Sequence, residues 1–461
     1  MQIYIIAEAD NELQNKFIIY RPLVGLAFVG NRAMADLALA HTRPNFPQAP
    51  GSDQAIGFLQ SIGFYEPDPP EPALPTADFA PTMAVLLLTN QCQLRCRYCY
   101  AAAGETSPRR LTIEIARAAI DHVCKVAISR GKPYFEVSFH GGGEPTLAWK
   151  LLQEATAYAR QKPLSAKITL TSNGIWSKSQ GAWILKNIDG LTLSLDGRPE
   201  VQDRRRPFAS GRGSSDQVMR SVAELDRHSF PYGIRMTAMT PWSELPKDVR
   251  FLCETTRCKS LQVEPTFNTS RGGHGDASDE DMLAFGDAFL EAWDIAGQAG
   301  RRFYYSGARA GMRRSTFCTA PFQALITDVS GALVTCYEVT GPLHPLYELS
   351  RIGQVDENNQ QVNVEDAARS RLLGLIAARR EACQDCFCYY SCAGDCYARA
   401  FVEGPNGHLV HGSRCVLNRQ LTRRLLLYLI AQSGGVWRGF NQNACPPPEA
   451  DQDDLESHHV G

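Results

Sequence analysis

Apolar and polar positions alternate along this chain in two rhythms. Short runs rich in β-branched and aromatic residues recur at Ala84–Thr89, Phe135–Phe139, Ile168–Thr171, Leu191–Leu195, Gly233–Ala238 and Leu261–Glu264. Between and after them lie segments with apolar residues every three or four positions, near 112–130, 147–161, 178–187, 214–228, 246–256 and 279–299. The first rhythm predicts strands and the second helices. Six such βα units in series imply a parallel sheet with crossover helices. The expected fold class is α/β, an open partial (β/α)6 barrel. Ligands of such sheets bind at the carboxyl ends of the strands, so the residues just after each strand are the first candidates for chemistry.

The flanks read differently. Residues 1–65 form a small unit, with strands in YIIA and KFIIYRP and helices at Asn31–Ala40 and Asp53–Ile62. Residues 66–82, EPDPPEPALPTADFAP, are proline-rich and predict a linker. The barrel is expected over 83–310. Residues 311–425 are cysteine-rich with little long periodicity, so metal is expected to replace part of the core there. Residues 426–461 are expected to hold a C-terminal helix and a proline-rich, acidic, disordered tail. The tail histidines His458 and His459 read as solvated rather than as metal ligands.

Composition narrows the classes. Of 461 residues, 44% are hydrophobic and 21% charged, and the net charge is −2, which gives no case for nucleic acid or an anionic membrane as partner. No apolar run reaches the roughly 18 residues of a spanning helix. The start, MQIYIIAEADNELQNK, lacks the basic leader of a signal peptide, and a cytoplasmic protein is expected. There are 15 cysteines, which a reducing compartment would not oxidise to structural disulfides. Ten of them fall into spaced groups, as metal ligands do.

The first group is Cys92, Cys96 and Cys99 in TNQCQLRCRYCY, directly after the first barrel strand. Three thiolates can hold three irons of a cubane and leave the fourth iron open to a chelating cofactor. HGGGEPT follows the second strand, TSNG the third and SLDG the fourth. Glycines allow close backbone approach and a carboxylate can pair with an ammonium. The C-x3-C-x2-C loop with its aromatic Tyr98, and the Gly142-Gly143-Glu144 motif, resemble the radical S-adenosylmethionine (radical SAM) superfamily. The resemblance implies a [4Fe–4S] cluster on the three cysteines. It implies S-adenosylmethionine held by the backbone of Tyr98 at the adenine and by Gly142, Gly143 and Glu144 at the methionine amino group. Ser172 and Asn173 are candidates for the ribose or carboxylate, and Asp196 for a polar contact. Arg206 and Arg235 are candidates for the cofactor carboxylate. His140, before the glycines, is expected to be a hydrogen-bonded core residue.

The second group reads C-x12-G-x4-C at Cys318, Gly331 and Cys336, then C-x2-C-x5-C-x3-C at Cys383, Cys386, Cys392 and Cys396, and Cys415 closes it. Thiolates alone do not name a metal, so zinc stays open on spacing alone. These spacings resemble the SPASM extension of radical SAM enzymes. The resemblance implies a distal cluster on Cys383, Cys386, Cys392 and Cys415 and an inner one on Cys318, Cys336 and Cys396. The fourth inner position is open or filled by Cys388. Cys124 reads as a core residue; Cys253, Cys258 and Cys445 have no assignment.

Auxiliary clusters of this type accompany oxidation of a peptide or protein. The resemblance therefore implies a maturase that makes a carbon–carbon or thioether crosslink in a ribosomally synthesised precursor. Residues 1–65 resemble winged-helix-like modules that bind a leader segment, and a flavodoxin- or ferredoxin-type electron donor is implied. An anaerobic sulfatase-maturating, formylglycine-generating enzyme shares both motifs, and a non-catalytic iron–sulfur electron-transfer protein is the reading from another class. Tyr337 and Glu338, after Cys336, are the candidate proton acceptors.

Overall fold

The computed structural model describes all residues except 8–14, 41–52, 76–77, 267–270, 272–277, 400–401, 404–408, 411 and 440–461. Cys445, His458, His459 and the acidic tail lie outside the described residues. The chain opens with three antiparallel strands, β1 (Tyr4–Ala7), β2 (Lys16–Arg21) and β3 (Leu26–Asn31), followed by helices Arg32–Ala40 and Asp53–Ser61. Both helices cover one face of this sheet through Ala35, Ala38, Leu59 and Ile62 against Ile19, Leu26 and Phe28.

The barrel strands follow: β4 (Met83–Leu87), β5 (Tyr134–His140), β6 (Ser165–Ser172), β7 (Gly190–Ser194), β8 (Tyr232–Ala238) and β9 (Ser260–Pro265), then β10 (Arg302–Tyr304). They pair in sequence order, each parallel to the last. Alternation decides their faces. In β5, Phe135, Val137 and Phe139 are buried, while Tyr134, Glu136 and Ser138 stay half-buried on the other face. β8 repeats this with Ile234 and Met236 against Arg235 and Thr237. The apolar face joins one core with Ile115, Ile120, Leu152 and Leu225 of the crossover helices. Helix starts follow local signals, such as the Thr112 side chain accepting from Ile115 N and the Ser177–Gln180 capping box.

The cysteine-rich region is more ordered than its sequence suggests. β11 (Ala324–Thr327) pairs in parallel with β4, and β12 (Ala332–Val334), β13 (Arg351–Asp356) and β14 (Gln361–Val364) extend the sheet antiparallel. The resulting 11-stranded sheet is open, with β10 and β14 at its edges. A two-stranded ladder, β15 (Val402–Glu403) with β16 (Leu409–Val410), follows. Two long helices, Asp366–Ala382 and Ser413–Gln432, replace the expected loops. Their periodicity was hidden for physical reasons. In the first, Arg369, Arg379 and Arg380 are buried on the inner face beside Leu372. In the second, polar Asn418 and Thr422 are buried beside Leu417, Leu421, Leu425, Leu426 and Ile430, and the helix packs against both helix Asp279–Gln298 and β3.

The domain boundaries expected at 65 and 426 also change. The C-terminal helix begins at Ser413, and β17 (Val436–Arg438) returns to pair with β3, completing a four-stranded sheet from both chain ends. Ile6, Ile18, Tyr20 and Ala27 on its second face join the barrel core. The proline-rich segment is pinned rather than loose. Arg21, 0% exposed, donates to the carbonyl oxygens of Phe64 and, at 2.9 Å, of Glu66, and pairs with Asp68. Arg369 lies over the Phe79 ring at 5.0 Å. Thr82 N donates to Gln323 O at 3.1 Å. Replacing Arg21 by Met strands these acceptors, so unfolding of the iron-free chain by urea should show a loss of about 3 kcal/mol. A loss below about 0.5 kcal/mol, the size of an ordinary surface substitution, would refute this role.

Candidate functional site: three cysteine groups around the barrel mouth

The loop after β4 holds Cys92, Cys96 and Cys99 at the carboxyl end of the sheet. It has no regular ladder, so its carbonyls need other partners. Arg95 donates to Cys92 O (2.7 Å), Leu94 O (2.9 Å) and Gly104 O (3.0 Å). Arg271, arriving from beyond β9, donates to Cys96 O (2.7 Å) and Ala103 O (2.8 Å) and pairs with Glu105. Backbone bonds from Arg95 N to Pro207 O (2.7 Å) and Arg97 N to Arg205 O (2.9 Å) stitch the loop to the segment after β7. Neither arginine stood out in the sequence, because a guanidinium that gathers carbonyls carries no spacing signature.

Burial, with the Glu144 charge nearby, pushes the Cys92 thiol up to about 12, and burial pushes Cys96 up to about 11. Without a cation these sulfurs hold their protons; a bound metal displaces them. Leu94 N and the Asn173 carboxamide already donate to Cys92 Sγ, at 3.4 and 3.6 Å.

The glycine motif after β5 packs on this loop. Gly142 has φ +101°, and a Cβ at Gly143 would lie 2.2 Å from Gln91 O. Both positions therefore require glycine. Glu144, 2% exposed, accepts from Thr146 N (3.1 Å), Thr146 Oγ1 (2.8 Å), Ser172 Oγ (2.7 Å) and Asn173 N (2.8 Å). Burial raises its carboxyl while these four bonds oppose the rise. Only its Oε2, with a single donor, keeps capacity for a ligand. Ser172 and Asn173 thus meet Glu144 and Cys92, joining the ends of β5 and β6.

Asp196, Arg206 and Tyr98 meet each other. Tyr98 O–H donates to Asp196 Oδ2 at 2.5 Å, Arg206 Nε lies 3.1 Å from the same oxygen, and the guanidinium stands 5.2 Å above the Tyr98 ring. Asp196, 0% exposed, also accepts from Thr237 N at 2.9 Å. The Arg206 charge is committed to Asp196. Arg235 forms no ion pair among the described residues.

The second cysteine set divides in two. Cys383, Cys386, Cys392 and Cys415 line one cavity of about 410 Å³. Cys388 lines the same cavity. The adjacent Cys388 thiol pulls the Cys386 thiol down to about 6. Cys318 and Cys336 pack beneath β4 and β11, and Cys336 and Cys396 against Leu372 and Tyr397. The residues preceding Cys396 and Cys415 are joined by an ion pair, Arg414 to Asp395, at 3.1 Å. Cys318 and Cys336 each accept from the backbone N–H two residues on, at 3.4 Å, repeating the Cys92–Leu94 arrangement.

Tyr100 follows Cys99 and lies within the fields of Cys99, Cys336, Glu338 and Arg235. Its hydroxyl would lie 3.2 Å from a Cβ at Gly141. Glu338 is bound by Arg399, which also donates to Glu264 at 3.0 Å. Burial would raise the Glu338 carboxyl, but Arg399 and then Arg235 bring it down to about 2, which makes it a weak base. Burial holds the Tyr337 phenol protonated, with its O–H toward Met83 Sδ at 3.8 Å. His140, 7% exposed, stacks on Tyr337 with ring centroids 4.6 Å apart. Burial and Arg235 lower it to about 3. The expected core hydrogen bond is missing: its Nδ1 has no partner.

Among the described residues no three of His, Cys, Asp and Glu converge closely enough to hold one metal ion. A cubane needs no such convergence, since its thiolates bind separate irons. The buried thiols, the sulfur-directed N–H groups and the four-cysteine cavity fit iron–sulfur clusters. Replacing Arg271 by Met removes two charge-assisted bonds, each worth about 1.5–3 kcal/mol. Hydrogen exchange should quicken at residues 96–104 while β5 to β8 keep their protection. Unchanged exchange in the loop would exclude the clamp.

Residues 86–252 match the family model of the Radical SAM superfamily. Fe-coproporphyrin III synthase of Methanosarcina barkeri is 34% identical over 154 residues, which is 32% of this chain but only 35% of that protein's length. Mycofactocin maturase MftC of Mycobacterium tuberculosis is 25% identical over 362 residues, 72% of this chain and 84% of the relative. Among solved structures, native anSMEcpe with bound AdoMet superposes with a TM-score of 0.60 at 18% identity, over 76% of this chain and 99% of that one, a likeness of fold. Motif, strand order and family match agree that this chain carries a radical SAM domain over residues 86–252.

Proposed function

We propose that this protein is a radical SAM maturase with two auxiliary clusters that oxidatively crosslinks, through a carbon–carbon or thioether bond, a ribosomally made precursor peptide. The observation that carries this reading is the shared interior. Tyr100, next to Cys99, feels Cys336, Glu338 and Arg235, and His140 feels Arg235 and Glu338, so the cysteine loop and Cys336 share one set of polar neighbours. A substrate side chain held there lies between a radical source and an electron acceptor.

In this reading Cys92, Cys96 and Cys99 hold the catalytic [4Fe–4S] cluster. Cluster and S-adenosylmethionine, when bound, supply the 5′-deoxyadenosyl radical. The Tyr98 backbone meets the adenine, Gly142, Gly143 and Glu144 seat the methionine amino group, and Ser172 and Asn173 keep Glu144 in place. Asp196 and Arg206 brace the loop from below, and Arg235 takes the cofactor carboxylate. Cys383, Cys386, Cys392 and Cys415 hold the distal cluster; Cys318, Cys336 and Cys396 hold the inner one, with an open position. His140, whose Nδ1 is bare, joins Tyr337 and Glu338 as a candidate proton acceptor by position, although burial makes it nearly as weak a base as Glu338. A flavodoxin- or ferredoxin-type donor supplies electrons, in the cytoplasm, where thiols stay reduced. No described helix is long and apolar enough to cross a membrane.

The leader segment docks on the N-terminal sheet, where β1 pairs only with β2 among the described strands and leaves an edge for one more strand. Because the second face of this sheet is part of the main core, deleting residues 1–65 would unfold more than a docking site. Ile5→Pro on β1 is the cleaner perturbation. It should weaken binding of a candidate precursor about tenfold or more, while cleavage of S-adenosylmethionine without peptide persists. Equal affinities would reopen the case for a folded substrate such as a sulfatase.

Metal content tests the cluster assignment directly. The anaerobically reconstituted chain should hold roughly 8 to 12 irons, with about four per complete cubane. The triple change of Cys92, Cys96 and Cys99 to Ala should remove about four of them and abolish 5′-deoxyadenosine formation. Zinc at the downstream cysteines, or persistent 5′-deoxyadenosine in the triple variant, would overturn the reading.

A further inference from the structure

The distal cavity contains more than its four ligand cysteines. Asn418 lies on helix Ser413–Gln432, three residues after Cys415, so both side chains share one helix face and reach the same cavity. Asn418 is 1% exposed. Its Nδ2 donates to Cys392 Sγ at 3.3 Å. Its backbone carbonyl lies 3.7 Å from the Cys388 thiol, the fifth sulfur at this cavity. Its Oδ1 has no hydrogen-bond partner and lies against Gly307, where an added Cβ would sit 2.1 Å from it. Only glycine there leaves room for the amide to aim its N–H at sulfur.

The two auxiliary groups differ in this respect. At Cys318 and Cys336 the sulfur-directed donors are backbone N–H groups from Ala320 and Glu338. Hydrogen bonds to cluster sulfurs, and positive charge nearby, favour the reduced form because it carries one more negative charge.

We propose that the Asn418 carboxamide is a positioning residue for electron flow: its N–H on Cys392 Sγ raises the reduction potential of the distal cluster above the value that cluster would have without it. This rests on the auxiliary-cluster reading above. Cys388 is then a spectator thiol held against the Asn418 carbonyl, not a ligand.

The test is a redox titration followed by electron paramagnetic resonance. The full-length protein carries Cys92, Cys96 and Cys99 changed to Ala, so that only the auxiliary clusters report. Asn418→Leu should keep the iron of this background, move one of the two midpoints to more negative potential and leave the other in place. Asn418→Asp, which keeps the shape but replaces the donor by a negative oxygen, should move it further. Cys388→Ala should keep all the iron. If Asn418→Leu loses iron, Asn418→Asp decides: an unchanged or raised midpoint overturns the proposal. Two unmoved midpoints in Asn418→Leu would overturn the proposal, and loss of about four irons in Cys388→Ala would make that residue a ligand. A background protein without iron would instead refute the cluster reading itself.

Discussion

A thiolate taken out of water is costly unless a cation shares its site, and this chain sets three groups of cysteines at or inside its core. Much of the surrounding structure answers that cost. Burial keeps Cys92, Cys96, Cys336, Cys392 and Cys396 protonated until a metal arrives. Meanwhile N–H groups from Leu94, Asn173, Ala320, Glu338 and Asn418 already point at sulfur. The sites are organised before they are filled, which limits the entropy that metal binding must overcome.

Arginines do the corresponding work on the backbone. A loop that must expose sulfur cannot spend its carbonyls in a helix or sheet. Arg95 and Arg271 collect five of them around the first cysteine group. Arg399 joins Glu338, beside Cys336, to Glu264 at the end of β9. Arg414 and Asp395 tie together the segments that carry Cys415 and Cys396. The guanidinium suits this role because its planar donors satisfy several acceptors at once. The same pairing explains why Glu338 is a poor proton acceptor.

Chain topology then brings these groups to one end of one sheet. β11 adds to β4 in parallel, so the cysteines that follow β11 and β12 arrive beside the loop that follows β4. Helix Ser413–Gln432 fixes Cys415 and Asn418 at the distal cavity and continues to β17, which closes the N-terminal sheet. The N-terminal unit is therefore coupled to the cysteine-rich region through a shared core rather than by a tether.

The sequence alone determined what depends on short range. The six strands and six helices of the barrel fell within a few residues of their observed limits, because alternation and helical periodicity are local and Thr112 and Ser177 mark helix starts. The cysteine spacings and the glycine motif were equally legible, since metal ligands and tight backbone approach tolerate few other residues. What only the tertiary structure decided involves partners far apart in sequence. The pairing of Arg206 with Asp196, which leaves Arg235 free, could not be read from either motif. Nor could the packing of β17 on β3, the Arg271 clamp, the bare Nδ1 of His140, or the Asn418 amide on Cys392. Each is set by which surfaces fold together, and a hydrogen bond or ion pair across ten or more residues leaves no periodic trace in the chain.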